Sequence, residues 1–541
     1  DLNMTPEEVD KVQKAKDENR YDDAFRMLFV KQCNELNAIL PGLFEKTDDY
    51  MELLLKLSYT SDGVVRMLVD SIDENNFNVE TEGQVEIIGW MYQYYNTELK
   101  DDTFAKLKKN IKISKDRIPA ATQLFTPDWI VRYMVENSVG RVWIEHLRAI
   151  SPSVDEKEKA TEFGWKYYLP EAEQDLDVIK QLITVREQYI NLEPKDISCI
   201  DPCMGSGHIL VYMFEVLMDI YRSEGFSERD AVFYILKNNI RGLDIDRRAY
   251  QLSYFALMMK ARGYNRTFFR GMSNEDGERE VVEPVVFAIE ESNSINREQL
   301  KYFGAKLSDI EKNNANNQMV GLLDSLIDAK EYGSILNIDG YDWGLLQRFT
   351  SSYQADGQIT FDTLGIEETQ KKLKTLINQG RVMAEKYWAV STNPPYMGNK
   401  GMNDKLSKYI QKYYADSKTD IFACFLSKGM CMLKRGGINA QVTMQVWMFL
   451  TAFDKFRNRM LAENHILSLL HMDNMVMGIA FGTSATIFRK GCLQKYNAEY
   501  TYAQLNDLNN YGEPDAFPIE NDRHTFARIC DFEKIPRMPI A

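Results

Sequence analysis

Apolar residues recur along the 541-residue chain with two different spacings, and the change of spacing divides it. Up to about residue 118 they fall three and four apart, as on one face of a helix. Tyr21–Val30 opens such a run, which ends near Pro41-Gly42, and Met51–Leu57, Val64–Val69 and Gly83–Tyr95 continue it. This predicts an α-helical N-terminal domain over residues 1–118, a packing or interaction module without a catalytic constellation. From residue 119 to 490 short apolar, β-branched runs alternate with longer helical ones. Ile197–Ile200, Asn239–Asp246, Val285–Ile289, Tyr387–Val390, Ile438–Thr443, Ile466–His471 and the turn into Phe481–Phe488 read as strands. Such alternation predicts an α/β domain with a doubly wound, Rossmann-like sheet.

The helices between have readable ends. Thr126 is the expected N-cap of Asp128–Val135, with Pro127 at the first helical position. Asp246 is placed to cap Arg247–Lys260, and Thr369–Lys386 reads as a long helix feeding the Tyr387 strand. Asp420–Leu433 is an apolar helix that Gly436-Gly437 would close as a glycine C-cap. Residues 151–196 are charged and read as a peripheral helical insertion, and a second insertion spans 265–385. Within the second, Glu311–Gln318 reads as a polar loop. Beyond Gly491 the pattern weakens, so 491–541 is expected to be the start of a C-terminal target-recognition region, cut short.

Hydrophobic residues at 44% and charged residues at 27% place the chain among ordinary globular proteins. No apolar window is long enough for a membrane helix, and no signal-peptide pattern opens the chain, so a cytoplasmic protein without a membrane partner is expected. The start lacks an initiator Met, which suggests a fragment or a processed chain. Seven scattered cysteines and five histidines show no metal-ligand spacing, which predicts reduced thiols and no metal site. A net charge of -15 is unlike that of a nucleic-acid-binding protein. Any such surface must be local. Residues 106–117 carry six Lys/Arg against one Asp, and 398–435 carry eight against three Asp. Each reads as a solvated face rather than a phosphate track, although the second directly follows the chemistry described next.

That chemistry is Ser391-Thr392-Asn393-Pro394-Pro395-Tyr396. Two prolines end the Tyr387 strand and hold Asn393 at its C-terminal edge, where ligands bind in open α/β sheets. An adenine N6 amino group is a poor nucleophile, because its lone pair is delocalised into the ring. The Asn393 side-chain oxygen and the Pro394 carbonyl can accept its two N–H bonds, and these bonds strengthen as positive charge builds on nitrogen. Tyr396 offers a face on which an extruded base can stack, and Phe481 a second wall. A plain Pro-Pro turn is the bland reading of the same residues. Upstream, Asp201-Pro202-Cys203-Met204-Gly205-Ser206-Gly207 joins a strand to an apolar helix. Gly205 and Gly207 let the backbone approach a ligand. The Asp201 carboxylate disfavours a phosphate and favours an ammonium group, such as the methionine end of S-adenosylmethionine. Asp244, at the end of the second strand, can accept from ribose hydroxyls, and Glu290 can reach an adenine ring.

In order, Phe125-Thr126-Pro127, the Asp201–Gly207 loop, Leu243-Asp244-Ile245-Asp246, Asn393–Tyr396 and Phe481-Gly482-Thr483 resemble amino-methylating DNA methyltransferases. The Met397-Gly398 continuation, Gln123-Leu124 and the helical N-terminus are most similar to the PglX family of the BREX phage-defence systems. The resemblance covers most of residues 20–540. It implies a Rossmann-like S-adenosylmethionine-dependent methyltransferase domain over 119–490 and transfer to adenine N6 in double-stranded DNA, with other BREX proteins as partners. By it Asn393, Pro394, Pro395 and Tyr396 are catalytic. Asp201, Pro202, Gly205, Gly207 and Asp244 hold the cofactor, and Thr126 meets its methionine end. Two features depart from the family: Cys203-Met204 replaces Ala-Cys, and relatives run longer at the C-terminus, where the recognition domain lies. The alternatives are the methyltransferase part of a fused restriction–modification enzyme, or a cofactor-binding scaffold without turnover.

Overall fold

The strand Tyr387–Thr392 is buried along its whole length and lies inside a nine-stranded sheet. In chain order the strands are β1 Cys199–Asp201, β2 Ile240–Asp244, β3 Val285–Ala288, β4 Tyr387–Thr392, β5 Leu433–Met444, β6 Asn464–Met472, β7 Thr483–Lys490, β8 Ala498–Ala503 and β9 His524–Ala527. Their order across the sheet is β9-β8-β6-β7-β5-β4-β1-β2-β3. β3, β2, β1, β4 and β5 run parallel, and β7 lies antiparallel between β5 and β6. The expected Rossmann-like α/β fold is therefore present. The structure, a computed structural model, describes residues 2–44, 46, 58, 63–73, 75, 96–109, 111–122, 124–273, 279–353 and 365–540. The predicted runs Met51–Leu57 and Gly83–Tyr95, and Gln123, lie outside the described residues.

The helix His208–Ser223 shows why the segments are so apolar. It carries hydrophobic residues nearly all round, because it packs between the sheet and the helices Asp128–Val135 and Arg247–Tyr264. Described helices before residue 118 include Pro6–Asp17, Tyr21–Asn37, Val64–Ser71 and Thr97–Lys108. The first two bury a small cluster of their own around Val12, Ala15 and Ala24. Ile113 and Ile118, by contrast, share an apolar cluster with Met397, Met402, Leu406 and Phe425, directly beside the Asn393 segment.

Four expectations change. Residues 151–196 are not peripheral: Trp165, Tyr167, Leu182 and Tyr189 join the main core. A buried ion cluster ties this segment to the sheet. Glu145 accepts from Arg186 Nε at 2.6 Å and from Arg489 Nη2 of β7, and Arg186 also donates to Glu171 at 2.7 Å. Burial alone would raise the Glu145 carboxyl, but Arg489 and Arg186 hold it well below the usual range. Glu311–Gln318 is helix, not loop. Ser308 and Glu311 form a capping box, and Ala315, Met319, Leu322 and Leu323 bury one face of Asp309–Ser325. The helix Ile421–Met432 has no glycine C-cap; the chain turns straight into β5 at Leu433. Gly436 instead takes φ +75°, and its carbonyl accepts from the Tyr189 hydroxyl at 2.7 Å. Finally, strands within residues 491–541 join the main sheet. β8 pairs in parallel with β6, and β9 closes the sheet.

Candidate active site

Asp201 and Asp244 are the last residues of β1 and β2, and Asn393 follows the last residue of β4. All three strands are parallel, so these residues meet at one edge. β1 has β2 on one side and β4 on the other, which makes this the point where strand order reverses and a crevice opens.

The turn after β1 carries the two predicted glycines, and they serve different ends. Gly205 has φ +53°, and a Cβ there would meet nothing within 4 Å, so the backbone lies bare to the crevice. Gly207 has φ +89°, and a Cβ would stand 2.9 Å from Ser253 Cα. It lets His208–Ser223 approach Arg247–Tyr264 closely. Pro202 lines the crevice, and its carbonyl accepts from Ser334 Oγ at 2.5 Å.

Asp201 is 1% exposed. Its Oδ1 accepts from the Cys203 amide at 2.9 Å, while Oδ2, close to the Thr392 hydroxyl, has no partner at hydrogen-bond distance among the described residues. Burial pushes its carboxyl up to about 7. Asp244 accepts from Gly205 N at 2.9 Å and from Asp246 N at 2.8 Å, and burial raises it to about 6. The two carboxyls thus line adjoining parts of one crevice, each costly to ionise without a cation or further donors. Asp246 caps Arg247–Tyr264 as expected, its carboxylate accepting from Arg248 N.

The crevice has two arms. One is lined by Asp244, Ile245, Asp246, Tyr332, Gly333 and Ser334. The other is lined by Phe125, Thr126, Asp201, Met204, Ser206 and His208. Leu124, Cys203, Gly205 and Asn393 line both. A ligand with a cationic end, a hydroxylated middle and a flat apolar end fits this sequence of surfaces. The orphaned Asp201 oxygen and the open space at Gly205 fit S-adenosylmethionine in particular.

Asn393 has both ends of its amide engaged. Nδ2 donates to Thr126 Oγ1 at 3.0 Å, and Oδ1 accepts from the Tyr396 hydroxyl at 2.8 Å. Thr126 is therefore not the helix cap expected of it; Pro127 holds the cap position with no side-chain bond. Its hydroxyl is spent on Asn393 instead, although the residue does line the arm with Asp201. Pro394 is buried, and Pro395 lines the first arm. The Tyr396 ring stands edge-on to Phe422 and to Phe481, 6.0 Å from the latter's centroid. A base cannot lie between Tyr396 and Phe481 until one ring moves. Asp420 pins the segment, its Oδ1 accepting from Met397 N at 3.0 Å while it caps Ile421–Met432.

Glu290 is not where it was expected: it pairs with Lys330 at 2.8 Å and lines neither arm. The apolar end of the crevice comes instead from Ile245 and from Tyr332–Ser334, deep in the 265–385 segment. His208, stacked on Phe125 at 5.0 Å, also lines the site unforeseen. No spacing in the sequence marks these residues, because only tertiary folding brings them to the edge.

On the reading proposed below, replacing Thr126 by Val should lower kcat about tenfold, the value of one lost hydrogen bond to the Asn393 amide, with cofactor affinity unchanged and Ser restoring the rate. A drop in cofactor affinity with kcat intact would return Thr126 to a purely ligand-binding part.

Residues 238–476 match the family model described as Eco57I restriction-modification methylase. The chain is 40% identical over 98% of its length to the adenine-specific methyltransferase PglX of Lacticaseibacillus casei (strain Zhang), covering 43% of that protein. It is 35% identical over 99% of its length to the adenine-specific methyltransferase BrxX of Escherichia coli O9:H4 (strain HS), covering 44%. The chain thus spans less than half the length of these curated relatives. Among solved structures, a DrdV–DNA complex aligns over 97% of this chain and 43% of its own, at 13% identity and a TM-score of 0.41.

Proposed function

We propose that this chain, similar along nearly its whole length to the adenine-specific methyltransferases PglX and BrxX, transfers the methyl group of S-adenosylmethionine to adenine N6 in DNA. The observation that carries the reading is the position of Asn393. It stands in the wall common to both arms of the crevice, where a methyl donor and an entering base would meet.

In this reading Asp201 takes the ammonium group of the cofactor, and Asp244 accepts from its ribose hydroxyls. Ile245 and Tyr332 flank its adenine. The cofactor, when bound, supplies an electrophilic methyl group. Asn393 Oδ1 exchanges the Tyr396 hydroxyl for an N–H of the target amino group, and the Pro394 carbonyl accepts the second. Both acceptors gain strength as the nitrogen becomes pyramidal and positive, so they lower the barrier rather than merely bind. Leu124 and Pro395 keep water from the reacting atoms. Tyr396 and Phe481 hold the extruded base once the rings have parted. The partner is double-stranded DNA, and other phage-defence proteins of a BREX system complete the setting.

The test is incubation with labelled S-adenosylmethionine and duplex DNA, followed by nucleoside analysis. N6-methyldeoxyadenosine is expected. Methylated cytosine alone, or cofactor binding with no transfer, would overturn the reading.

The raised carboxyls add a pH signature. Asp201 has its ordinary value of 3.8 in the unfolded chain and about 7 in the fold. Between those values the folded protein holds a proton that the unfolded chain has lost, so without ligand this group's contribution to stability falls as pH rises. A bound ammonium group needs the ionised form and reverses that trend. Cofactor affinity should rise with pH through about 7, with proton release on binding below it. It should fall again past about 8, where an α-amino group loses its own charge. Calorimetry in buffers of different ionisation enthalpy reads the proton count. Affinity flat from acid to neutral pH would remove Asp201 from the cofactor's ammonium.

A further inference from the structure

Two lysine-bearing segments that are remote in the sequence meet beside the catalytic motif. Ile113 N donates to the Gly401 carbonyl at 3.1 Å, and Lys112 pairs with Asp404 at 2.7 Å. Ile113 is buried with Met397, the residue after Tyr396, and with Leu406, which lines the crevice. The helix Asp404–Tyr413 turns Leu406 and Ile410 inward and leaves Lys405, Lys408 and Lys412 on its outer face. The two basic stretches are therefore one rim.

Some of its charges are already neutralised. Lys106 and Arg117 pair with Asp102, Lys115 with Glu291, and Lys405 with Asp328. Lys108, Lys109, Lys400, Lys408, Lys412 and Lys418 are exposed and have no ion-pair partner among the described residues. In a chain of net charge -15, cations without an ion-pair partner on the two segments that pack together beside Met397 differ from an ordinary solvated face. Lysine suits the task of binding phosphates without reading bases, because it is a point charge on a flexible stem.

We infer that this rim is a phosphate track, which holds the backbone of duplex DNA beside the extruded base independently of sequence. The inference rests on the function proposed above and gives the DNA a place on the surface. It requires an attraction that salt screens, since each lysine on a phosphate releases condensed counterions.

The experiment is fluorescence-anisotropy titration of a labelled duplex at several salt concentrations, with the whole chain. The rim variant is Lys400→Gln/Lys408→Gln/Lys412→Gln. A control with the same change of charge is Lys157→Gln/Lys180→Gln/Lys237→Gln, at exposed positions elsewhere. The rim variant should lose about 0.9 from the slope of log K against log salt for each phosphate contact removed. Its KM for DNA should rise severalfold or more, with cofactor affinity unchanged as the check on folding. The control should keep the wild-type slope. Equal slopes in the rim and control variants, or no salt-dependent binding by the wild type, overturn the track. The two readings fail separately. Wild-type methylation of adenine with a rim-independent slope sinks the track alone. A rim-dependent slope with no methyl on adenine sinks the catalytic reading and leaves the track.

Discussion

Asn393→Ala should cut methyl transfer about a hundredfold to a thousandfold, the usual loss when one preorganised partner of a transition state is removed. Cofactor affinity should stay close to wild type, because the groups proposed to hold the cofactor lie on β1, β2 and the Tyr332–Ser334 segment. The side chain is held from both ends, by Thr126 at 3.0 Å and Tyr396 at 2.8 Å, so its orientation is set before a base arrives. Alanine removes the acceptor and leaves the Tyr396 hydroxyl without its partner. Single-turnover methylation with the cofactor saturating separates the chemical step from binding. A wild-type rate in that assay would end the adenine-N6 proposal.

The largest loss of stability is expected far from the crevice. Glu145→Leu leaves Arg489, itself fully buried, without a counter-charge, and takes one of the two carboxylates from Arg186. Stranding a buried charge in this way costs about 3–5 kcal/mol. Arg489 cannot relieve the strain by losing its proton, as a lysine might, because guanidinium stays charged. Glu145→Leu combined with Arg489→Met should recover most of the loss, since well-packed apolar replacements of an ion pair are often nearly neutral. Urea unfolding of the two variants measures both effects. A single variant within about 1 kcal/mol of wild type would mean that water reaches this cluster.

The crevice was legible because its main parts are local signals. A strand, an acid and a Gly-rich turn stand together at Cys199–Gly207. A second strand ends in Asp244, and Asn393 follows a strand that two prolines stop. What escaped depends on contacts between distant segments. Tyr332–Ser334 reaches the crevice only because Ser334 bonds the Pro202 carbonyl and Tyr414 the Ile335 carbonyl. Thr126 had the spacing of a cap, yet a better partner lay across the crevice. The Asn-rich run after Ser308 has poor helix propensity, and the capping box with four apolar residues facing the core outweighs it. The Gly436-Gly437 pair signalled a helix end that the chain reaches without it. Ala498–Ala503 and His524–Ala527 were missed because both are short, partly polar and separated by a long loop. Glu145, Arg186 and Arg489 lie too far apart in sequence for any spacing to join them.

The continuity of the sheet past β7 sets where the gene can be divided. The periodic pattern fades after Gly491, which invites a fragment ending at 490. Such a fragment would lack β8, and β6 would become a bare outer strand nine residues long. Its unpaired amides and its row of Ile466, Leu467, Leu469 and Leu470 would template pairing with further molecules, the usual origin of aggregation from open edges. Inclusion bodies, rather than a smaller enzyme, are the foreseeable product. Fusions and reporters belong beyond Ile540, because Ile529 and Ile540 still join the main core and the buried Arg457 donates to the carbonyls of Arg537 and Met538.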